Sequence, residues 1–163
     1  SEVRLEPLQL NIEVQQIVAL LRRTIPKMVR IEVRLSEDLW LLLGDSVQIE
    51  QVLLNLLRNA IDALAEVPAQ ERSLVIESGV QPGGMVFVAV RDNGPGISSG
   101  AMEHLFDPFY STKESGMGMG LAISQTIMNH HHGKIRADSW PGKGSTFTIE
   151  LPPSVEAVVS AAS

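Results

Sequence analysis

Two stretches in the second half of the chain constrain the fold most. SLVIESGV (73–80) and MVFVAVRD (85–92) are rich in β-branched residues and are separated only by QPGG. KIRADSW (134–140) and TFTIELP (146–152) flank PGKGS in the same way. Connections this short and glycine-bearing join antiparallel neighbours, since a parallel crossover needs a far longer link. The chain therefore builds its sheet from hairpins rather than from regular βαβ units.

Helical periodicity accounts for what lies between. IEVQQIVALLRRTI (12–25) has apolar residues at helical spacing, with Asn11 as the predicted cap and Pro26 as the stop. VRLEPL (3–8) and RIEVRL (30–35) alternate as strands do, and GDS (44–46) supplies a turn and a cap. A long helix follows over about 46–66, with Ile49, Leu53, Leu56, Ala60 and Leu64 on one face as core. NGPGISSG (93–100) reads as a loop, AMEHLF (101–106) as a short helical turn, and a last helix runs from about Gly118 to His130. The expected fold is α+β: a two-layer sandwich in which a mixed, mostly antiparallel sheet of about five strands carries three main helices on one face. Domain organisation is expected to be one unit over 1–152 and a small, Pro-started tail over 153–163.

Composition narrows the class. The 163 residues are 44% apolar and 20% charged, which suits one packed domain. A net charge of −6 gives no support for nucleic-acid binding, and the lack of cysteine excludes disulfides and thiolate metal sites. No apolar run approaches the roughly 20 residues that span a bilayer, and the start shows no signal peptide. The chain thus reads as a cytoplasmic domain cut from something longer, with no membrane contact of its own.

Four stretches carry candidate chemistry. On the long helix a polar, mostly uncharged stripe runs Gln48, Gln51, Asn55, Asn59, Asp62. An ordinary solvent face would use Lys and Glu, and Asn is a poor helix former. The stripe is either a buried amide network or a polar wall facing a ligand, and Asn oxygens suit a hard cation such as Mg²⁺. In RDNGPGI (91–97), Asp92 ends a strand, and Gly94 and Gly96 free the backbone after it. That is either a plain turn or a carboxylate placed to accept from the adenine amine, which would select ATP over GTP. In LFDPFYSTK (105–113), Phe106 and Phe109 flank Pro108 as a hydrophobic anchor, with Lys113 either a solvated surface lysine or a cation for a terminal phosphate. In STKESGMGMGLAIS (111–124), Gly116, Gly118 and Gly120 precede a helix start; this is either a flexible surface loop or a phosphate site, since unpaired N–H groups and a positive dipole end suit an anion.

Together these stretches resemble the ATP-binding catalytic domain of sensor histidine kinases, in the gyrase–Hsp90–histidine kinase–MutL ATPase superfamily. NLLRNAIDA resembles the N box, DNGPGI the G1 box, LFDPFYSTK the F box and GMGMGLAIS the G2 box, all in family order. The form of the last two is most similar to oxygen- and nitrogen-sensing kinases with a short lid. The resemblance covers about residues 4–152, the closing hairpin GKGSTFTIELP included.

The resemblance implies ATP and Mg²⁺ as cofactors. It implies that Asn59 coordinates Mg²⁺ and that Asn55 lies near the phosphates. Asp92 would bind adenine, with Gly94, Gly96 and Ile97 shaping the base pocket. Lys113, Gly116, Gly118, Met119, Gly120 and Leu121 would belong to the lid and the phosphate-binding helix start, and Asn55 and Lys113 would be the catalytic pair. Where the family often has a Lys–Tyr pair after the second Asn, this chain has Asp62 and Ala63. The family's HGG before the late strand is matched to HGK (132–134).

Hydrolysing members of the superfamily carry a Glu four residues before the Mg²⁺-binding Asn, where it serves as general base. Here that position is Asn55, a carboxamide that takes no proton at neutral pH. The resemblance therefore implies slow hydrolysis and transfer of the γ-phosphoryl to a histidine on a separate dimerisation domain, then to a response regulator, with a homodimeric parent. None of the four histidines, His104, His130, His131 and His132, has the family's phosphoacceptor context. The HHH run reads as helix-end surface residues favoured by the dipole rather than a metal site, because consecutive histidines on a helix point different ways. A serine kinase of the same superfamily and a non-catalytic nucleotide-binding module are the alternatives. Asn55 counts against the first, and the intact glycine boxes against the second.

Overall fold

The computed structural model describes residues 3–24, 29–39, 41–108 and 120–154. In chain order the elements are β1 (Glu6–Leu8), α1 (Leu10–Arg22), β2 (Arg30–Arg34), β3 (Leu42–Gly44), α2 (Ser46–Ala63), β4 (Ser73–Val80), β5 (Val86–Asp92), α3 (Ser99–Met102), α4 (Gly120–His130), β6 (Lys134–Trp140) and β7 (Gly144–Leu151). Short 3-10 turns at Leu64–Glu66 and Ala69–Glu71 follow α2.

Both expected hairpins form. β4 pairs antiparallel with β5, and β6 with β7. The main sheet has five strands in the order β2-β4-β5-β7-β6, with β2 beside β4 as its parallel pair. Helices cover one face. The predicted stripe of α2 (Ile49, Leu53, Leu56, Ala60, with Leu64 just beyond) is buried against Ile76, Val88, Val90, Phe147 and Ile149. On the opposite face Arg30, Glu32 and Arg34 alternate outward.

The first helix starts differently from the expectation. Gln9, not Asn11, is its cap, and the Gln9 side chain accepts from the Asn11 N–H at 3.3 Å. Asn11 instead donates to the Ser36 carbonyl at 2.6 Å and accepts from Ser78 Oγ at 2.7 Å. Those partners are 25 and 67 residues away in sequence, so tertiary contacts rather than local capping claim this amide. The sequence reading also contained no strand at Leu42–Gly44. It pairs antiparallel with β1, and the Ser154 N–H donates to the neighbouring Leu41 carbonyl at 2.9 Å. Residues 155–163, most of the expected tail, lie outside the described residues.

The histidine run needs correction. His130 and His132 are exposed at the end of α4, but His131 is buried at 3% exposure. Its Nδ1–H donates to the Ile127 carbonyl at 2.8 Å, and its Nε2 accepts the Asp45 N–H at 3.0 Å. One donor and one acceptor define a neutral imidazole bridging α4 to the start of α2. His132 takes φ 57, the left-handed conformation that glycine adopts most readily at a helix C-terminus.

Asp45 completes that end. It caps α2, its Oδ1 accepting the Gln48 N–H at 3.2 Å and its Oδ2 the Arg4 N–H at 3.0 Å. The Arg4 amide first, then those of Gln48 and Val47, hold its carboxyl below the usual range against the opposing cost of burial.

Candidate nucleotide site

α2 is the shared wall of the candidate site. At its middle, the Asn55 Nδ2 donates to the Gly120 carbonyl and to Ser124 Oγ, each at 3.2 Å. The Ser124 hydroxyl donates back to Gly120 at 2.8 Å, and Ser124 is fully buried. Asn55 thus spends its amide nitrogen on the start of α4. Asn59 lies one turn further along the same stripe and is half-buried. Asp62 is exposed and Ala63 half-buried at the end of the helix.

The start of α4 supplies the complementary charge. The first N–H groups of a helix have no intrahelical acceptor, and the dipole puts its positive end there. Gly120 opens this helix, and Leu121 packs partly buried on the core. A Cβ at Gly120 would meet Asn55 Cγ at an ordinary 3.7 Å, so packing against α2 does not require glycine there.

Asp92 ends β5 on the helix-facing side, two residues after Val90, and is 3% exposed. Its Oδ1 accepts the Gly94 N–H at 2.8 Å, which turns the chain sharply after the strand. Gly94 presses on the end of α2: a Cβ there would lie 2.9 Å from the Ala63 carbonyl oxygen. Gly96 has φ +81, and Ile97 is partly buried on the core. Asn93 holds the loop from outside, accepting from the Ser73 N–H at 2.9 Å and donating to the Glu71 carbonyl at 2.7 Å.

The fold thus brings Asn55, with Asn59 one turn along the same α2 stripe, against Gly120 at the start of α4, and Gly94, bonded to Asp92, against Ala63 at the C-terminal end of α2, while Gly96 and Ile97 lie against Trp140 and Ser139. Phe106 packs partly buried against the core. Phe109, Lys113, Gly116, Gly118 and Met119 lie outside the described residues. Two site residues escaped the sequence reading. Ser124 follows Gly120 at the i,i+4 spacing that lets a hydroxyl reach back to a carbonyl, a legible signal. Asn93 had none, because both its partners are on a different element.

Comparison with known proteins gives the family. The model of the histidine kinase-, DNA gyrase B- and HSP90-like ATPases matches residues 44–155, and the chain belongs to that family. It is 45% identical over 109 residues to the C4-dicarboxylate transport sensor protein DctS of Rhodobacter capsulatus, covering 67% of this chain and 16% of that one. It is 42% identical over 116 residues to the sensor protein FixL of Bradyrhizobium diazoefficiens, covering 71% and 23%. The chain therefore spans under a quarter of the length of these relatives.

Among solved structures, the catalytic domain of the histidine kinase ThkA superposes with a TM-score of 0.81 at 29% identity, covering 94% of this chain and 99% of that one. Full-length ShkA in complex with AMPPNP gives 0.80 at 26% identity, covering 93% and 32%. ThkA in complex with the response regulator TrrA gives 0.77 at 28% identity, covering 94% and 43%. The α+β expectation holds in these neighbours too.

Proposed function

We propose that this chain is the ATP-binding catalytic domain of a sensor histidine kinase. It binds Mg²⁺ and ATP and passes the γ-phosphoryl to a histidine on a separate dimerisation domain. The observation that carries this reading is Asn55. It is bonded to Gly120 and Ser124 at the start of α4, and it is a carboxamide where hydrolysing relatives need a carboxylate. With a carboxamide in place of that base, the γ-phosphoryl is kept for an acceptor that arrives from outside. Catalysis then rests on positioning and charge.

In this reading the Asp92 carboxylate accepts from the adenine amine, and Gly94, Gly96 and Ile97 line the base. Amides at the start of α4 and Lys113 take the phosphates, with Gly116, Gly118, Met119, Gly120 and Leu121 around them. The donor set suits Mg²⁺: Asn59 is an oxygen ligand on the wall that also bears Asn55, and Mg²⁺ prefers few protein ligands beside phosphates and water. When bound, the metal neutralises phosphate charge. As the P–O bond to ADP breaks, a P–N bond to the acceptor imidazole forms. The relation to ShkA with its nucleotide analogue supports the ATP reading, and that to ThkA with its regulator supports a response regulator as the onward partner. A homodimeric parent and a cytoplasmic setting complete the reading, with neither nucleic acid nor membrane as partner. Among the described residues no helix is long and apolar enough to cross a membrane.

The test supplies γ-labelled Mg·ATP together with a separately purified histidine-bearing dimerisation domain. Label on that domain's histidine, with slow release of free phosphate when it is left out, is the expected outcome. ATP binding without transfer would favour the regulatory module, and no ATP binding would end the reading.

A further inference from the structure

The loop after Asp92 is held by a part of the chain that lies outside every nucleotide motif. The Ile97 N–H donates to Ser139 Oγ at 2.7 Å. Ser139, near the end of β6, also donates to the Gly144 carbonyl at 3.2 Å and lies 3.0 Å from Ser145 Oγ. Ser145 is buried at 4% exposure and is the cross-strand partner of Asp92. One hydroxyl therefore bridges the two sides of the candidate base pocket: Ile97 on the loop, and through Ser145 the strand position facing Asp92.

The rest of this hairpin tightens the same clamp. The Gly142 N–H donates to the Pro95 carbonyl at 2.6 Å. A Cβ at Gly96 would lie 2.6 Å from the Trp140 carbonyl oxygen, and one at Gly144 would run into the carbonyl oxygen of Asp92. The loop and hairpin backbones are in direct contact, so the hairpin's end sets where the loop sits.

We infer that Ser139 is a positioning residue for base recognition: its hydroxyl fixes the spacing between Ile97 and Asp92, and so the preference for adenine. The inference rests on the proposed ATP reading. Without the hydroxyl, the Ile97 N–H loses its acceptor and Ser145 a partner, so the loop can shift away from Asp92 while the phosphate end, built on α2 and α4, stays as it is.

The experiment compares the full chain with its Ser139→Ala and Ser139→Thr variants by calorimetry, using Mg·ATP, Mg·ITP and Mg·tripolyphosphate. ITP carries a carbonyl where adenine has its amine, and tripolyphosphate has no base. For the unaltered chain, preference for ATP over ITP tests the underlying reading by itself. If that preference is present, Ser139→Ala is expected to weaken ATP about tenfold, to shrink the ATP:ITP ratio and to leave tripolyphosphate unchanged, and Ser139→Thr, which keeps the hydroxyl, is expected to restore the ratio. An unchanged ATP:ITP ratio in Ser139→Ala would overturn the inference, as would equal weakening of tripolyphosphate, which would mark a general loss of structure.

Discussion

The two ends of the α2–α4 pair are built from similar polar side chains to opposite effect. At one end, His131 and Asp45 are buried, and their hydrogen bonds run to Asp45, Ile127, Gln48 and Arg4. At the other, Asn55 joins the helices through its amide nitrogen only, beside a helix start whose N–H groups point away from the helix. The closed end fixes how the helices lie against each other; at the open end, on the nucleotide reading proposed above, oxygens and amides would meet phosphates without further reorganisation. Pre-organisation of this kind is what phosphate binding needs.

The largest expected effect sharpens the open end. Asn59→Ala should abolish phosphoryl transfer, a loss of at least about a hundredfold if it removes charge stabilisation worth roughly 3 kcal/mol. The melting temperature should barely move, since Asn59 is only half-buried. Transfer at the unaltered rate would remove Asn59 from the metal's coordination.

Loss of His131 should do the reverse. His131→Ala strands the buried Asp45 N–H and leaves a cavity, so denaturant unfolding should show a loss of about 2–4 kcal/mol. Nucleotide affinity per folded molecule should hold. If affinity fell in step with stability, the two ends would be coupled and the comparison would break.

A smaller effect comes from pH. Glu13 is buried beside Glu50 and Ser46, with Ser46 Oγ 3.1 Å from both its carboxylate oxygens. Burial first, then a hydrogen bond and repulsion from Glu50, raise its pKa from 4.5 to about 7, while Ser46 acts in the opposite direction. The folded state therefore holds this proton more tightly than the unfolded chain does. Stability should be greatest below about pH 4.5 for this group and fall as pH rises to about 7. The loss is on the order of 1–3 kcal/mol, and Glu13→Gln should flatten the slope in urea titrations at pH 5 and 8. An equally steep slope in that variant would place the titrating group elsewhere.

The smallest effect tests the joint at the open end. Ser124→Ala removes the hydroxyl that Asn55 and Gly120 share, and should cost about 1 kcal/mol of stability and a few-fold in ATP affinity. No change in affinity would mean that Asn55 holds its place without Ser124.

Much of this molecule is legible along the chain, because the signals are local. Hairpin turns, helical stripes and glycine-bearing loops report on a few neighbouring residues, so both hairpins and the core face of α2 followed from spacing, while the roles of the candidate site residues came only from the resemblance of their motifs to a known family. GDS (44–46) was legible as a turn and cap before a long periodic run, and the structure gives the cap to Asp45. What the sequence alone could not decide is where a polar side chain finds a partner far away. Asn11 has the identity of a cap but serves Ser36 and Ser78, and Gln9 takes the cap. His131 looks like its exposed neighbours, yet its hydrogen bond to Asp45 spans 86 residues. The pairing of β1 with β3, and the contact of Ser139 with Ile97, likewise join segments that no local pattern relates. Backbone periodicity is set by residues within a turn or two. The satisfaction of a buried polar group is set by whatever the folded chain brings within 3 Å or so of it, and that belongs to the tertiary structure.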